Sequence, residues 1–211
     1  LNAAARAARN QLLPLCRKHK LAAIAFSTTG RGLLTGSIRP HPVFAPNDLR
    51  RMDPLFQRER FQSGLRIAQK LAALGEEENK TPAQVAIAWV LAQHGIVSAL
   101  TGPSNISHLE ENVGASGWTL PARDLAALER FLAEEEKQLK KEQQTSLKRI
   151  LTTTLPQEPS KAMADLVYVM ETAVELGYLG EKDVMPIFRD LLPMQESLTK
   201  SSLPKLEAIR T

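Results

Sequence analysis

Residues 81–112 read TPAQVAIAWVLAQHGIVSALTGPSNISHLEEN, and this stretch decides the fold class. Thr81 followed by Pro82 is typical of a helix start, because threonine caps the first turn and proline fits the first helical position. Gly95 ends that helix, and the apolar run IVSAL after it predicts a buried strand. A second helix opens at Ser-Asn, after a Gly-Pro turn. The stretch therefore predicts a helix–strand–helix segment of an α/β fold.

The turn between this strand and the second helix indicates anion binding. A helix N-terminus presents backbone N–H groups that lack an intrahelical acceptor, and the helix dipole favours negative charge there. In TGPSNISHLEEN, residues 101–112, the Gly-Pro turn aims those groups at one point. We therefore predict that a phosphate group binds at this turn.

The sequence upstream repeats the strand-to-helix order. Residues 10–20 have helical character and end in basic residues, and LAAIAFS at residues 21–27 predicts another buried strand. A segment rich in Gly, Pro and Arg, residues 30–54, then precedes a helix over residues 60–74. Loops of that length are usually functional. Two parallel strands cannot bury both faces of a sheet, so we expect the first 140 residues to belong to a larger structure.

The sequence after this α/β segment changes character. We predict a helix from Leu120 to about Lys140, so that residues 1–140 form one unit, followed by a charged linker over residues 141–155. Residues 156–211 then predict a small helical extension. The extension is predicted from apolar residues at helical spacing, namely Met163, Leu166, Val167, Met170 and Val174 in one helix and Val184, Ile187, Phe188 and Leu191 in the next.

Composition narrows the class of protein. The net charge is +4, and Lys and Arg alternate with acidic residues, so we expect no nucleic-acid partner. Cys16 is the single cysteine, which excludes an internal disulfide and fits a reducing compartment. No apolar run approaches the roughly 20 residues of a membrane span, and arginines interrupt the N-terminal stretch where a signal peptide would need an apolar core. We expect a cytoplasmic protein without a metal site.

Five blocks of the sequence occur in the order and spacing of a known family. They are LLPLCRKHKLAAIAFS, GRGLLTG, DLRRMDPLF, TPAQVAIAWVLAQHGIVSALTGPSNISHLEENVGA and LPARDLAALE. On these blocks residues 12–135 resemble the C-terminal half of an aldo-keto reductase, closest to the branch of bacterial general-stress reductases and potassium-channel β subunits. The resemblance implies an α/β fold that is the C-terminal portion of a (β/α)8 TIM barrel. Residues 21–27 would be its seventh strand and residues 96–101 its eighth.

The resemblance also implies an NADP(H) site formed by two loops. Phe26 falls where the family stacks an aromatic ring on the nicotinamide, although the position alone would favour a core residue. The run from Ser27 to Arg31 falls where the family's S-P-L-G-R lies along the pyrophosphate. Ser104 would meet the 2′-phosphate of the adenosine half. The cofactor-binding residues implied in this way are Phe26, Ser27, Thr28, Thr29, Gly30, Arg31, Gly102, Ser104, His108, Glu111 and Asn112, the last two at the adenine edge.

This chain departs from the family pattern at the cofactor loops. Thr28 and Thr29 replace Pro-Leu, and Leu55 precedes Phe56 where the family commonly has arginine. His108 replaces an arginine or glutamine, and neutral histidine cannot clamp a phosphate bidentately as arginine does. We therefore expect reduced NADP(H) affinity, which falls further as histidine loses its proton with rising pH.

The residues that perform catalysis in the family have no counterpart in this sequence. In the family a tyrosine donates the proton, supported by a lysine, an aspartate and usually a histidine, all on earlier strands. The only tyrosines here are Tyr168 and Tyr178, which fall in the extension and are predicted to be packing residues. We therefore predict no catalytic residue in the chain.

Two functions fit these observations. The first is the C-terminal, cofactor-binding portion of an NADPH-dependent aldo-keto reductase, which would reduce a small carbonyl substrate when complete. The second is a non-catalytic binding or assembly module, in which a protein partner or self-association covers the exposed edges of the truncated barrel. Residues 156–211 could also be a separate adaptor. A catalytic tyrosine and lysine upstream of Leu1 would favour the first function.

Overall fold

The computed structural model describes residues 1–149 of the chain. The chain divides into two compact units, Leu1–Leu139 and Lys140–Thr211. The predicted extension over residues 156–211 lies outside the described residues. Within residues 1–149, no helix is both long enough and apolar enough to cross a membrane.

Helices precede, separate and follow the two strands of the described chain, as the sequence predicts for an α/β fold. The long segment between the first strand and the second helix contains three short 3₁₀ turns, Leu33–Thr35, Leu49–Arg51 and Pro54–Phe56. The regular elements are α1 (Ala7–Lys18), β1 (Ala23–Ala25), α2 (Arg58–Glu78), α3 (Pro82–Leu91), β2 (Ile96–Ala99), α4 (Ile106–Val113) and α5 (Ala122–Arg149).

The two strands pair in parallel, as expected for consecutive βα units. Ala25 lies opposite Ala99, and the register is irregular between Ala23 and Ile24. Just beyond the ladder, the Leu100 N–H donates to the Ala25 carbonyl at 2.7 Å. Because the strands are parallel, the loop after β1 and the loop after β2 leave the sheet at the same edge.

Helix α3 begins as its sequence predicts. The Thr81 side chain accepts from the Gln84 N–H at 3.3 Å, and the Gln84 side chain accepts from the Thr81 N–H at 3.0 Å, which completes a capping box. Pro82 occupies the first helical turn, where the absence of an N–H costs nothing. The helix is buried almost all round, so it acts as the rigid centre of this part of the chain.

The hydrophobic core lies between α2, α3 and the N-terminal part of α5. Trp89 of α3 is fully buried, and its indole N–H donates to a Glu129 carboxylate oxygen at 3.0 Å. That bond satisfies the only polar atom of the ring, so the whole side chain contributes apolar burial. Leu71 and Leu128 from the flanking helices are also fully buried in this core. Truncation of a buried tryptophan to alanine usually costs about 3–5 kcal/mol of stability.

The prediction of two buried strands is wrong for one face of the sheet. Ala25 is buried against the helices, but Ile24, Phe26 and Val97 are 58%, 70% and 64% exposed. Strand side chains alternate between faces, and the described residues supply helices to only one face. The other face is therefore an apolar surface without cover in the described part of the chain.

Candidate cofactor site

The two loops that the sequence assigns to a cofactor meet at one edge of the sheet. The first loop follows β1 and runs from Phe26 to Gly32, and the second follows β2 and leads into α4. The Thr28 hydroxyl reaches the Leu100 carbonyl at 3.4 Å, a long hydrogen bond between the two strand ends. The predicted site residues are thus brought together in two groups, each at the C-terminal end of a parallel strand, where α/β folds bind ligands.

The backbone of the first loop adopts an unusual conformation. Ser27, Gly30, Arg31 and Gly32 have φ angles of 55°, 61°, 55° and 88°, in the left-handed region that glycine tolerates and serine and arginine rarely adopt. Turns of this kind point backbone N–H groups inward and form concave anion sites. A strained backbone that the surroundings maintain is also typical of ligand loops.

Asn2 holds the first loop in this conformation, and the sequence interpretation did not single it out. Its side chain is 2% exposed. The Asn2 amide donates to the Ser27 carbonyl at 3.0 Å, and its oxygen accepts from the Ala4 N–H at 3.0 Å. Both ends of the amide are therefore paired, which fixes the carbonyl of the strained Ser27.

The side chains of the first loop differ in what they offer a ligand. Thr28 is buried and engaged with Leu100, so only its backbone could meet a cofactor. Thr29 is half-buried, and the Phe26 ring is exposed at the strand end. The Arg31 guanidinium forms an ion pair with Asp53, with Nη1 and Oδ2 2.9 Å apart. That ion pair links the first loop to the segment before α2. It also neutralises part of the positive charge that Arg31 is expected to place along the pyrophosphate.

The segment before α2 is held by its own contacts. The Arg50 guanidinium lies 4.4 Å from the centre of the Phe44 ring and donates to the Asp48 carboxylate. The side-chain hydrogen bond from Arg50, with the backbone N–H bond from the same residue, lowers the pKa of Asp48 from 3.8 to about 2. Asp48 and Arg50 are close in sequence, so this local pair shapes a turn rather than linking distant elements.

The second loop presents the groups that the sequence assigns to a phosphate. The Ser104 hydroxyl lies 2.9 Å from Nδ1 of His108, and the Asn105 side chain caps α4 by accepting from the His108 N–H at 2.8 Å. The backbone N–H groups of Ile106 and Ser107 have no acceptor among the described residues. The start of α4 therefore keeps free donors beside a hydroxyl and an imidazole, a suitable set for a phosphate.

Helix α4 also carries Glu111 and Asn112, both half-buried. Its attachment to α3 depends on Gln84, whose amide donates to the Glu111 carbonyl at 2.9 Å. Gly114 permits this approach, because a Cβ at that position would lie 2.3 Å from Gln84 Nε2. Sequence reasoning did not assign Gln84 or Gly114, although the spacing T-x-x-Q is a recognisable capping-box signal.

The two loops offer open space and backbone donors of the kind that phosphate groups bind. An added Cβ at Gly102 would meet no atom within 4 Å, so open space adjoins the second loop. Left-handed backbone lines the first loop, and free N–H donors lie at the start of α4. In residues 1–149 no three His, Cys, Asp or Glu side chains cluster as metal ligands would. The two tyrosines, Tyr168 and Tyr178, lie outside the described residues.

Comparison with known proteins gives a consistent result. The sequence profile described as "Aldo/keto reductase family" matches residues 1–133. The chain is 39% identical over 125 residues to aldo-keto reductase str7 of Strobilurus tenacellus, which covers 59% of this chain and 37% of that protein. It is 33% identical over 104 residues to aldo-keto reductase yakc [NADP(+)] of Schizosaccharomyces pombe, covering 49% and 31%. It is 33% identical over 114 residues to aldo-keto reductase YhdN of Bacillus subtilis, covering 54% and 34%.

A solved structure resembles the chain as well. The glycerol dehydrogenase AKR11B4 from Gluconobacter oxydans matches with a TM-score of 0.54 and 29% sequence identity, over 64% of this chain and 41% of that one. The chain spans about a third of the length of the curated relatives it matches.

Proposed function

The chain belongs to the aldo/keto reductase family, and we propose that its described part is the C-terminal, cofactor-binding portion of a (β/α)8 barrel that binds NADP(H). On this proposal β1 and β2 are the seventh and eighth strands of the barrel. The uncovered apolar face of the sheet, with Ile24, Phe26 and Val97, would then face the barrel interior, which six further strands complete.

One observation carries the proposal: two adjacent parallel strands end in loops at the same edge of the sheet, the first with left-handed backbone and the second with unpaired N–H groups at a helix start. In barrels of this type a phosphate commonly lies between the loops after strands seven and eight, beside a helix N-terminus. The strained run from Ser27 to Gly32 and the free N–H groups at the start of α4 have this arrangement. The relative yakc, whose name includes NADP(+), supports the choice of cofactor.

The site residues divide by the part of the cofactor that they would hold. The exposed Phe26 ring offers a flat apolar surface for the nicotinamide, and the backbone of Ser27 to Gly32 would follow the pyrophosphate. The Ser104 hydroxyl and the Ile106 and Ser107 N–H groups would donate to the 2′-phosphate. Glu111 and Asn112 would lie at the adenine edge.

These residues would bind and orient the cofactor and take no part in the chemical step. When bound, NADPH supplies a hydride that can pass to a carbonyl carbon. Phe26 would exclude solvent from one side of the nicotinamide, and α4 would fix the far end of the cofactor. The proton donor is expected from the tyrosine of the family's earlier strands, which residues 1–149 do not include.

The substitution Ser104→Asp tests the phosphate assignment. An aspartate would replace a donor by a negative charge beside the 2′-phosphate, so the Kd for NADPH should rise by about tenfold or more. The Kd for NADH, which lacks that phosphate, should change by about twofold at most. Ser116→Asp adds the same charge at an exposed position after α4 and should leave both affinities unchanged. Equal losses for the two cofactors in Ser104→Asp would contradict the assignment.

A second function is favoured by the apolar face itself. Contiguous exposed apolar surface of this kind is typical of protein–protein interaction sites. On this alternative the chain is a non-catalytic assembly module, whose open face is covered by a partner or by self-association. The intact mass of the native polypeptide separates the two functions, because a whole barrel needs about 250 residues before any extension. A mass near 23.3 kDa would favour the assembly module.

A further inference from the structure

Helix α4 is loosely attached to the rest of the described chain. None of its eight residues is buried. Its apolar side chains Ile106, Leu109 and Val113 are 74%, 45% and 59% exposed, so they contribute little packing energy to its position. The helix nevertheless carries most of the groups assigned to the adenosine half of the cofactor. Something other than core packing must fix where those groups lie.

Gln84 supplies that attachment from a rigid helix. Both ends of its amide are paired: Oε1 accepts from the Thr81 N–H at 3.0 Å and Nε2 donates to the Glu111 carbonyl at 2.9 Å. The two partners fix the orientation of the amide, because a backbone N–H must face the oxygen and a carbonyl must face the nitrogen. One side chain therefore caps the start of α3 and holds the second turn of α4.

The absence of a side chain at Gly114 allows Gln84 to reach the Glu111 carbonyl. A Cβ there would come within 2.3 Å of Gln84 Nε2 and 3.1 Å of the Glu111 carbonyl oxygen. The residue is therefore small where the glutamine side chain passes. Helix α3 is buried along most of its length, so the bond transmits a fixed position to a helix that has no buried face of its own.

We propose that Gln84 is a positioning residue for the adenosine half of the cofactor: it places α4, and so sets where Ser104, His108, Glu111 and Asn112 stand. This rests on the proposed function for the identity of the ligand. The placement of α4 by Gln84 is a separate claim, because it concerns two helices of this chain and can be measured without cofactor.

The substitution Gln84→Glu separates the two roles of the side chain. A glutamate still accepts from the Thr81 N–H, since Glu and Gln both serve in a capping box. Its second oxygen, however, would face the Glu111 carbonyl, so a donor–acceptor contact becomes a repulsion between two acceptors. Gln62→Glu, an exposed position on α2, is the control for the added charge. Thr81→Ala is the control for the cap, because it removes the threonine hydroxyl and keeps the backbone N–H that orients Gln84.

Two measurements on the full chain test the proposal. In Gln84→Glu, the Kd values for NADPH and for 2′,5′-ADP should rise by the same factor, about tenfold, because both ligands carry the adenosine 2′-phosphate half. Thr81→Ala should lower the thermal midpoint and leave both Kd values unchanged. Unchanged affinities in Gln84→Glu, or a loss for NADPH without a loss for 2′,5′-ADP, would overturn the proposal.

Hydrogen exchange without cofactor gives the second readout. The amides of Leu109 to Ala115, in α4 and the turn that ends it, should exchange at least about tenfold faster in Gln84→Glu than in the native protein, while the amides of α3 keep their protection. Unchanged exchange in α4 would overturn the placement by Gln84. If the native chain binds neither NADPH nor 2′,5′-ADP, the proposed function fails, and the exchange measurement still decides whether Gln84 holds α4.

Discussion

Two glycines should respond to the same substitution in opposite ways, because one is crowded and the other is open. Gly75 lies in the last turn of α2, and a Cβ there would be 2.2 Å from the backbone carbonyl oxygen of Lys80. Real Cβ atoms essentially never approach another heavy atom closer than 3.0 Å, so the chain around Lys80 must move by nearly 1 Å. At Gly102 an added Cβ would meet no atom within 4 Å, and φ lies outside the left-handed region.

The structure sets the size of each effect. Overpacking costs about 1–3 kcal/mol, and a clash with backbone belongs in the upper part of that range. Alanine recovers up to about 1 kcal/mol in a helix, so Gly75→Ala should lose about 1–2 kcal/mol of unfolding free energy. For a unit of this size, that is a fall of about 2–8 °C in thermal midpoint. Gly102→Ala should gain a few tenths of a kcal/mol by restricting the unfolded chain. Its methyl group would occupy space assigned to the cofactor, so the Kd for NADPH should rise by about tenfold.

Thermal unfolding followed by circular dichroism, together with NADPH titration, measures both effects on the same samples. Gly75→Ala should unfold at a lower temperature and, well below its thermal midpoint, bind NADPH with an unchanged Kd. Gly102→Ala should be at least as stable as the native protein and bind NADPH more weakly. A fully stable Gly75→Ala would refute the close approach to Lys80. A Gly102→Ala variant that binds NADPH like the native protein would refute the placement of the cofactor over this turn.

Two further substitutions test the electrostatics of the site. His108→Arg restores a bidentate phosphate donor, so NADPH should bind about tenfold more tightly while NADH binding stays the same; equal gains would argue against a 2′-phosphate contact. The Asp48 carboxylate should titrate near pH 2 by NMR, and Arg50→Met should return its midpoint towards 3.8. Because the folded pKa is depressed, this pairing stabilises the turn above about pH 4 and is lost as pH falls towards 2; a midpoint near 3.8 in the native protein would contradict it.

The helices and the order of the elements could be predicted because their signals are local. Thr81-Pro82 begins α3, and basic residues close α1 at Lys18, as the sequence indicates. Helix α5 was expected to end near Lys140 and continues to Arg149 in the structure, since the charged run after Glu134 consists of strong helix formers. The strands are shorter than their apolar runs because each pairs on one side only in the described residues.

The support of the site could not be predicted, because it depends on contacts between distant residues. The Arg31–Asp53 pair spans 22 positions, and the Gln84–Glu111 hydrogen bond spans 27. The burial of Thr28 depends on the neighbouring strand. No local pattern encodes these partners, so the sequence indicates which residues line the loops and leaves open what holds them.

A crystal structure of the native protein with NADP⁺ would test the cofactor site most directly. The 2′-phosphate should lie within about 3 Å of the Ser104 hydroxyl and of the backbone N–H groups that begin α4. The pyrophosphate should follow the left-handed backbone from Ser27 to Gly32. A cofactor bound elsewhere, or a 2′-phosphate that makes no contact with the start of α4, would contradict the assignment of this edge of the sheet to NADP(H).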